Sequence, residues 1–309
     1  MAHSKSKVLI IGATGYIGKY LVNASVKLGH PTFVLLRSLT TSDPPKAELV
    51  KSFQESGVTL LKGDVNDYES LVAALRQVDV VISTVSGPAA LSQVKILDAA
   101  KEAGTIKRFI PSEFGHDVDR LEIDFKDMEG LFGTKRTVRR EIEKSGIPYT
   151  FVISGGFAGY FVANLANDNV TSPPRDKVTI WGDGTAKAIL NTEEDIATYT
   201  IKSVDDPRVE NKFLHIRPKE NIISQGELVA LWEKKIGTTL EKTVVSKEEL
   251  RKIIEETPFP ANVIHAIRYS AFVKGDLTSF ELNANDVEAA ELYPDVQYTT
   301  VSAYLDQFL

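Results

Sequence analysis

Cysteine is absent from all 309 residues. That excludes a disulfide framework, a thiolate nucleophile and any cysteine-ligated zinc site. No hydrophobic run approaches the ~18 residues of a membrane span, and the polar opening from Met1 to Lys7 leads straight into an apolar stretch. A reducing, cytoplasmic setting with no membrane partner is therefore expected. Positive charge is also short: 36 Lys and Arg stand against 42 Asp and Glu, a net charge of −6. A general nucleic-acid binder would need a basic face, so nucleic acid is not an expected partner. The five histidines, His3, His30, His116, His215 and His265, have no metal-ligand spacing, and no metal is expected. Hydrophobic content of 43% and charge of 25% are those of an ordinary globular chain. Its length suits one large α/β domain or two lobes sharing an interface.

The stretch that organises the chain is Val8-Leu9-Ile10-Ile11-Gly12-Ala13-Thr14-Gly15-Tyr16-Ile17-Gly18. Four β-prone apolar residues run into glycines spaced Gly-x-x-Gly-x-x-Gly, and an amphipathic segment follows to Leu28. This reads as a buried strand, a tight turn and a helix start. A backbone without side chains can approach a pyrophosphate closely, and the helix N-terminus offers free N–H groups and a positive dipole end. The spacing differs from the usual Gly-x-Gly-x-x-Gly and resembles the extended or atypical short-chain dehydrogenase variant. Dinucleotide binding is expected at Gly12, Ala13, Thr14, Gly15, Tyr16, Ile17 and Gly18.

Strands and helices then alternate. Strands are read at 31–36, 58–61, 79–84 and 107–110, and helices near 46–55, at 68–78 and after Pro88. That alternation predicts βαβ units and a doubly wound parallel sheet, an NAD(P)-binding Rossmann fold. Ligands of such sheets sit outside the carboxyl ends of the strands, which places Gly12, Arg37, Thr84 and Ser112 around one crevice. The pattern thins after residue 155. A helix is read over 157–167, a strand at 178–181 and helices at 193–203, 224–235, 247–256 and 260–273. The division expected is a dinucleotide-binding domain at 1–155 and a smaller α/β substrate lobe at 156–309, some of whose elements return to the main sheet.

NAD enzymes usually carry Asp or Glu at the end of strand two, about 20 residues past the glycines. Here Arg37 stands there, with Ser38 beside it and no acid before Asp43. Arginine can hold a 2′-phosphate bidentately, and Lys46 offers a second cation. Arg37 alone also fits a solvated strand end. With the glycine turn upstream, the NADP(H) reading is favoured.

Short-chain dehydrogenases normally use Tyr-x-x-x-Lys, and no tyrosine here has lysine four residues later. Another acid or base is needed. The segment 131–142 is helical in pattern with an apolar stripe of Leu131, Val138 and Ile142, and Lys135 fills the missing place in that stripe. Burial would lower its pKa and suit proton transfer near neutral pH. A lysine snorkelling past the stripe fits the pattern equally well. The rest of the run Lys135-Arg136-Thr137-Val138-Arg139-Arg140 reads as the wet face of its helix. Glu113 reads as a cap on local backbone, and Trp181 and Trp232 as packing residues.

With these residues in view, the chain resembles the plant isoflavone reductase-like family: pinoresinol–lariciresinol, isoflavone and phenylcoumaran benzylic ether reductases, with eugenol and isoeugenol synthases. The matching stretches span nearly the whole chain. They include Ile11 to Gly18, Gly29-His30-Pro31-Thr32, Asp79 to Thr84, Lys107 to Gly115, Phe157-Ala158-Gly159-Tyr160-Phe161, Pro173 to Val178 and Leu292-Tyr293-Pro294. The resemblance implies NADPH held by the glycine turn, Arg37 and Lys46, with Phe157 also at the cofactor. It further implies Lys135 as general acid/base, a small phenolic substrate, and hydride delivery to a quinone-methide-like carbon. Two stretches depart from the family. Glu122-Ile123-Asp124-Phe125-Lys126-Asp127 replaces a His-Ala-Val-Glu-Pro-like run, and Gly155-Gly156 stands where Asn-Cys is frequent. Ile189-Leu190-Asn191 resembles the eugenol and isoeugenol synthases, whereas Phe272-Val273-Lys274-Gly275-Asp276 resembles the ether reductases. The expected activity is thus phenylpropene-forming or benzylic ether-cleaving, with isoflavone or lignan reduction as the alternative. A reading from another class is a non-catalytic, NADP-sensing NmrA-like regulator. The sequence leaves the oligomeric state open, a homodimer included.

Overall fold

The run Val8–Ile11 becomes β1, buried on both faces as a central parallel strand requires. Its side chains alternate: Val8 and Ile10 pack into one core cluster, Leu9 and Ile11 into another across the sheet. The computed structural model describes residues 4–122, 124–168 and 170–309, and of Asp127 the backbone alone. His3 and Ile123, both considered above, lie outside the described residues.

The strands are β1 (Val8–Ile11), β2 (Thr32–Leu36), β3 (Thr59–Lys62), β4 (Val80–Ser83), β5 (Arg108–Ile110), β6 (Thr150–Ile153), β7 (Gly156–Phe157), β8 (Lys177–Trp181), β9 (Lys187–Asn191), β10 (Lys212–His215), β11 (Ile222–Ser224), β12 (Glu241–Val245) and β13 (Asp286–Glu288). The first layer follows the order β3-β2-β1-β4-β5, all parallel. A parallel bridge between Phe109 and Tyr149 carries it into β6, and β10 and β13 then add in parallel. Order reverses between β1 and β4, the switch point at which such sheets bind ligands. Two smaller sheets, β11-β9-β7 and β12-β8, stand apart.

The principal helices are α1 (Gly18–Lys27), α2 (Pro44–Glu55), α3 (Tyr68–Leu75), α4 (Ser92–Ala103), α5 (Lys126–Met128), α6 (Thr134–Ser145), α7 (Ala158–Phe161), α8 (Glu193–Lys202), α9 (Gln225–Ile236), α10 (Lys247–Glu256) and α11 (Asn262–Arg268). On one face of the sheet α1 packs with α8, whose Ile196, Ala197, Tyr199 and Ile201 are fully buried against the β1 side chains. α3, α4 and α6 cover the other face. A helix from beyond residue 155 thus completes the layer around the first strand.

Two expectations are corrected. The helix read over 157–167 is only the four residues of α7, because Phe157 belongs to β7 and Leu165 and Ala166 take left-handed φ of +52° and +60°. The helix read over 260–273 divides into α11 and a π-helical turn at Tyr269–Lys274. A second π-helical turn, Glu129–Gly133, runs directly into α6. Among the described residues no helix is long and apolar enough to cross a membrane.

Candidate functional site

The glycine turn is built as its sequence demands. Gly12 has φ +87°, and a Cβ there would lie 2.3 Å from Thr84 Oγ1. Thr84 in turn donates to the Ile11 carbonyl at 3.0 Å, so the ends of β1 and β4 close on each other. A Cβ on Gly18 would lie 2.3 Å from the Gly12 carbonyl oxygen and 2.8 Å from Ala13 Cα, so α1 can seat against the turn only with glycine there. Above the strand ends lies a crevice of about 510 Å³, lined by Gly12, Ala13, Thr14, Arg37, Ser38, Thr40, Lys46, Gly63 and Val85 among others. A neighbouring hollow shares Thr14 and Lys46 and adds Gly15, Tyr16 and Lys19.

The structure therefore brings together the glycine turn, Arg37 and Lys46, with Arg37 exposed at the rim after β2. Ile17 is instead buried in the core beneath the turn. Ser112 is 6% exposed, its backbone N–H donating to Gln93 Oε1 at 2.8 Å. Neither lines either hollow.

A second cavity of about 350 Å³ opens on the far side of an aromatic cluster. Tyr16, from the glycine turn, stacks on Phe157 and Tyr160 with ring centroids 5.7 and 4.5 Å apart, and both partners line this cavity. The Tyr16 hydroxyl donates to Glu193 Oε1 at 2.5 Å, and the Gly159 N–H donates to the same oxygen at 3.2 Å. One buried carboxylate thus ties the turn to α7. Burial is the main cause that pushes the Tyr16 hydroxyl and the Glu193 carboxyl upward.

The cavity wall is mostly apolar: Phe114, Leu131, Phe132, Phe161, Leu190, Val263, Ile264 and Ile267. Lys135, His116 and the hydroxyl-bearing Tyr160 interrupt it. Lys135 is half-buried by surface, but its ammonium end is enclosed and donates to the Glu113 carbonyl at 2.5 Å. Burial lowers its pKa, the nearby Glu113 charge opposes that, and Arg139 reinforces it. His116 is 7% exposed with its Nε2 unpartnered among the described residues, and its ring lies 5.7 Å from Phe132. Burial, with help from Lys135, pushes its pKa down to about 3, so it is a neutral imidazole. No group of three or more metal-ligating side chains is found among the described residues.

The charge run of α6 differs from the expected wet face. Arg139 is fully buried: its Nε and Nη2 donate to the two Glu113 carboxylate oxygens at 2.9 and 2.8 Å, and its Nη1 donates to Asp117 Oδ1 at 2.6 Å. Arg136 donates to the Val118 and Leu121 carbonyls at 2.7 and 2.6 Å. Glu113, expected to cap backbone, spends its carboxylate on Arg139 instead. The signal was present in the spacing, since Lys135, Val138, Arg139 and Ile142 fall at i, i+3, i+4 and i+7 on one face. His116 and Glu193 carried no such pattern. Trp181 and Trp232 do pack, 4% and 0% exposed, their indole N–H groups donating to the carbonyls of Ala166 and Pro174.

Comparison with known proteins fits this arrangement. The NmrA-like family model matches residues 4–305. The chain is 60% identical over 310 residues to phenylcoumaran benzylic ether reductase Betv6 of Betula pendula, covering 100% of each. It is 58% identical over 307 residues to eugenol synthase 2 of Clarkia breweri, covering 99% of each. A solved structure of AtPrR2 with NADP+ and (+)pinoresinol superposes with a TM-score of 0.94 at 39% identity, covering 99% of each chain. The chain belongs to the NmrA-like family and, within it, to the isoflavone reductase-like group of reductases and phenylpropene synthases.

Proposed function

We propose that this protein is an NADPH-dependent reductase acting on a phenylpropanoid-derived phenol. The observation that carries the reading is Lys135: a lysine enclosed in an apolar, ring-sized cavity, joined to the glycine-turn crevice through stacked Tyr16, Phe157 and Tyr160. The crevice suits a dinucleotide by its own construction. Its turn is held so close that a Cβ at Gly12 or Gly18 would collide with neighbouring atoms, and its rim carries Arg37 and Lys46 with no acid at the strand-two end. Gly12, Ala13, Thr14 and Gly15 would hold the pyrophosphate, and Arg37 with Lys46 the 2′-phosphate. Bound there, the cofactor supplies a hydride.

The chain's own residues do the rest. Leu131, Phe132, Ile264 and Ile267 take the aromatic ring and exclude water. In the neutral form, which burial favours, Lys135 accepts the proton of the ring's para-hydroxyl. The resulting phenolate expels a leaving group and generates an electrophilic, quinone-methide-like carbon. His116 gives the cavity wall a neutral imidazole beside the lysine. The high identity to ether reductases and eugenol synthases alike supports a phenylpropene-forming or benzylic ether-cleaving reaction. A cysteine-free chain fits a reducing, cytosolic setting.

The test is NADPH consumption with coniferyl acetate and with a phenylcoumaran, for the wild type and Lys135→Ala. The expected result is turnover of at least one substrate and a 100-fold or greater fall in kcat in the variant, with NADPH affinity retained. Undiminished turnover in Lys135→Ala would remove the lysine from the mechanism. Cofactor binding without NADPH oxidation on any phenolic would make the chain an NADP sensor instead.

A further inference from the structure

Glu113 is held at both ends by one face of α6. Its carbonyl accepts from Lys135 Nζ at 2.5 Å, and its carboxylate receives the two-pronged grip of Arg139 at 2.9 and 2.8 Å. Lys135 and Arg139 are four residues apart and so adjacent on the helix surface. The ion pair is buried, with Arg139 and Glu113 at 0% and 2% exposure, and the guanidinium lies over Phe151 and Phe213 at 5.3 and 5.1 Å. The next residue, Phe114, has φ +37°, a conformation unfavourable for a side chain with a Cβ, and its N–H donates to the Val152 carbonyl at 3.1 Å.

Fold stability alone is a weak reason for this arrangement. A buried ion pair commonly gains little over apolar packing of the same volume, because both charges lose their water. Its place directly behind the cavity lysine gives it another use.

We propose that Glu113 and Arg139 are positioning residues for Lys135: their ion pair fixes the carbonyl that aims the lysine, and Arg139 occupies the carboxylate that would otherwise become the lysine's counter-ion. The inference rests on the reading of Lys135 as the proton-transfer group. Among the described residues, the charged and titratable groups around Lys135 are Glu113 and His116 from the turn after β5, Arg139 on its own helix and, across the cavity on α7, Tyr160, whose hydroxyl burial pushes upward and keeps neutral. The walls from β9, α11 and the Tyr269–Lys274 turn present Leu190, Val263, Ile264, Ile267 and Ala271, which are all apolar. Neutral lysine is the form that accepts a proton, so kcat/KM rises with pH through the lysine's pKa. The position of that limb reads the balance between the two charges.

The experiment is the kcat/KM–pH profile at saturating NADPH, with whichever of coniferyl acetate and the phenylcoumaran is turned over. Glu113→Gln keeps the shape, removes the anion and leaves the Arg139 cation, so the limb moves to lower pH by about one unit. Arg139→Met frees the Glu113 carboxylate to pair with Lys135, so the limb moves to higher pH by about one unit or more. Arg139→Lys keeps the charge, so the limb returns close to its wild-type position while kcat falls from looser geometry. Opposite shifts from the two halves of one ion pair are a signature that a merely structural role does not produce. If Arg139→Met does not fold, Glu113→Gln decides. A limb unmoved in Glu113→Gln, together with an inactive Lys135→Met, overturns the positioning roles and leaves the lysine's role standing. Activity retained in Lys135→Met overturns both.

Discussion

The proposed cofactor choice and chemistry each rest on a single side chain. Arg37 stands exposed at the rim of the crevice, and among the described residues that line it the acid is Asp64, after β3, not at the end of β2. A charge-assisted contact to a phosphate contributes ~1.5–3 kcal/mol, so Arg37→Ala is expected to weaken NADPH roughly 10- to 100-fold. NADH, which lacks the phosphate, should change by less than about threefold; cofactor titrations monitored by nicotinamide fluorescence give both values. Equal losses for the two cofactors would assign Arg37 to the turn's shape and not to phosphate recognition. Lys135 and His116 show the same economy of means. One apolar wall keeps the first poorly solvated and the second neutral.

At the scale of elements, the junction of β1 with α1 is tightly constrained backbone. The Gly18 hydrogen points at the Gly12 carbonyl and Ala13 Cα, atoms of the main chain that cannot rotate aside. Gly18→Ala is therefore expected to push α1 off the turn, lowering stability by about 1–3 kcal/mol and weakening NADPH at least tenfold. Thermal unfolding and cofactor titration check this, and a variant with wild-type values in both would show that the turn has slack. The second constrained element is α6, which enters through the π-helical turn at Glu129–Gly133. Such turns are frequent at functional sites, where they re-aim the side chains that follow. Here the turn contributes Leu131 and Phe132 to the cavity, and Lys135 stands just beyond it.

Across the whole molecule, the segments that meet at the sheet come from both ends of the chain. β10 and β13 extend the layer begun by β1, and α8 packs beside α1 on the same face of the sheet. Burial of histidines links this architecture to pH. Burial is the main cause that lowers the folded-state pKa of His116, His215 and His265 below the ordinary value of about 6.5. As pH falls below about 6.5 the unfolded chain binds protons that the folded chain refuses. The stabilisation is complete above that pH and drains away down to the folded pKa, about 3 for His116. Tm should therefore fall between pH 7 and pH 5. In His116→Phe, which removes one of these groups, it should fall less; an equal or steeper fall would show that His116 is not kept neutral.

The sequence by itself determined the Rossmann-type alternation, the glycine turn and the cation after strand two, because each is local. Apolar runs, turn glycines and a residue a fixed distance downstream act through the backbone of their own segment. Lys135 was legible only as a gap in an apolar stripe, and the same stripe held Arg139, which a charge run seen in one dimension disguised. What tertiary structure alone decided is who meets whom across the chain: Tyr16 with Glu193, 177 residues apart, and Glu113 with Lys135 and Arg139, 22 and 26 residues on. The four-residue length of α7 is of the same kind, since Leu165 and Ala166 owe their left-handed backbone to no turn glycine. A carboxylate has the same sequence signature whether it caps a helix in water or is buried against a guanidinium. Only the packed core removes the water that distinguishes the two.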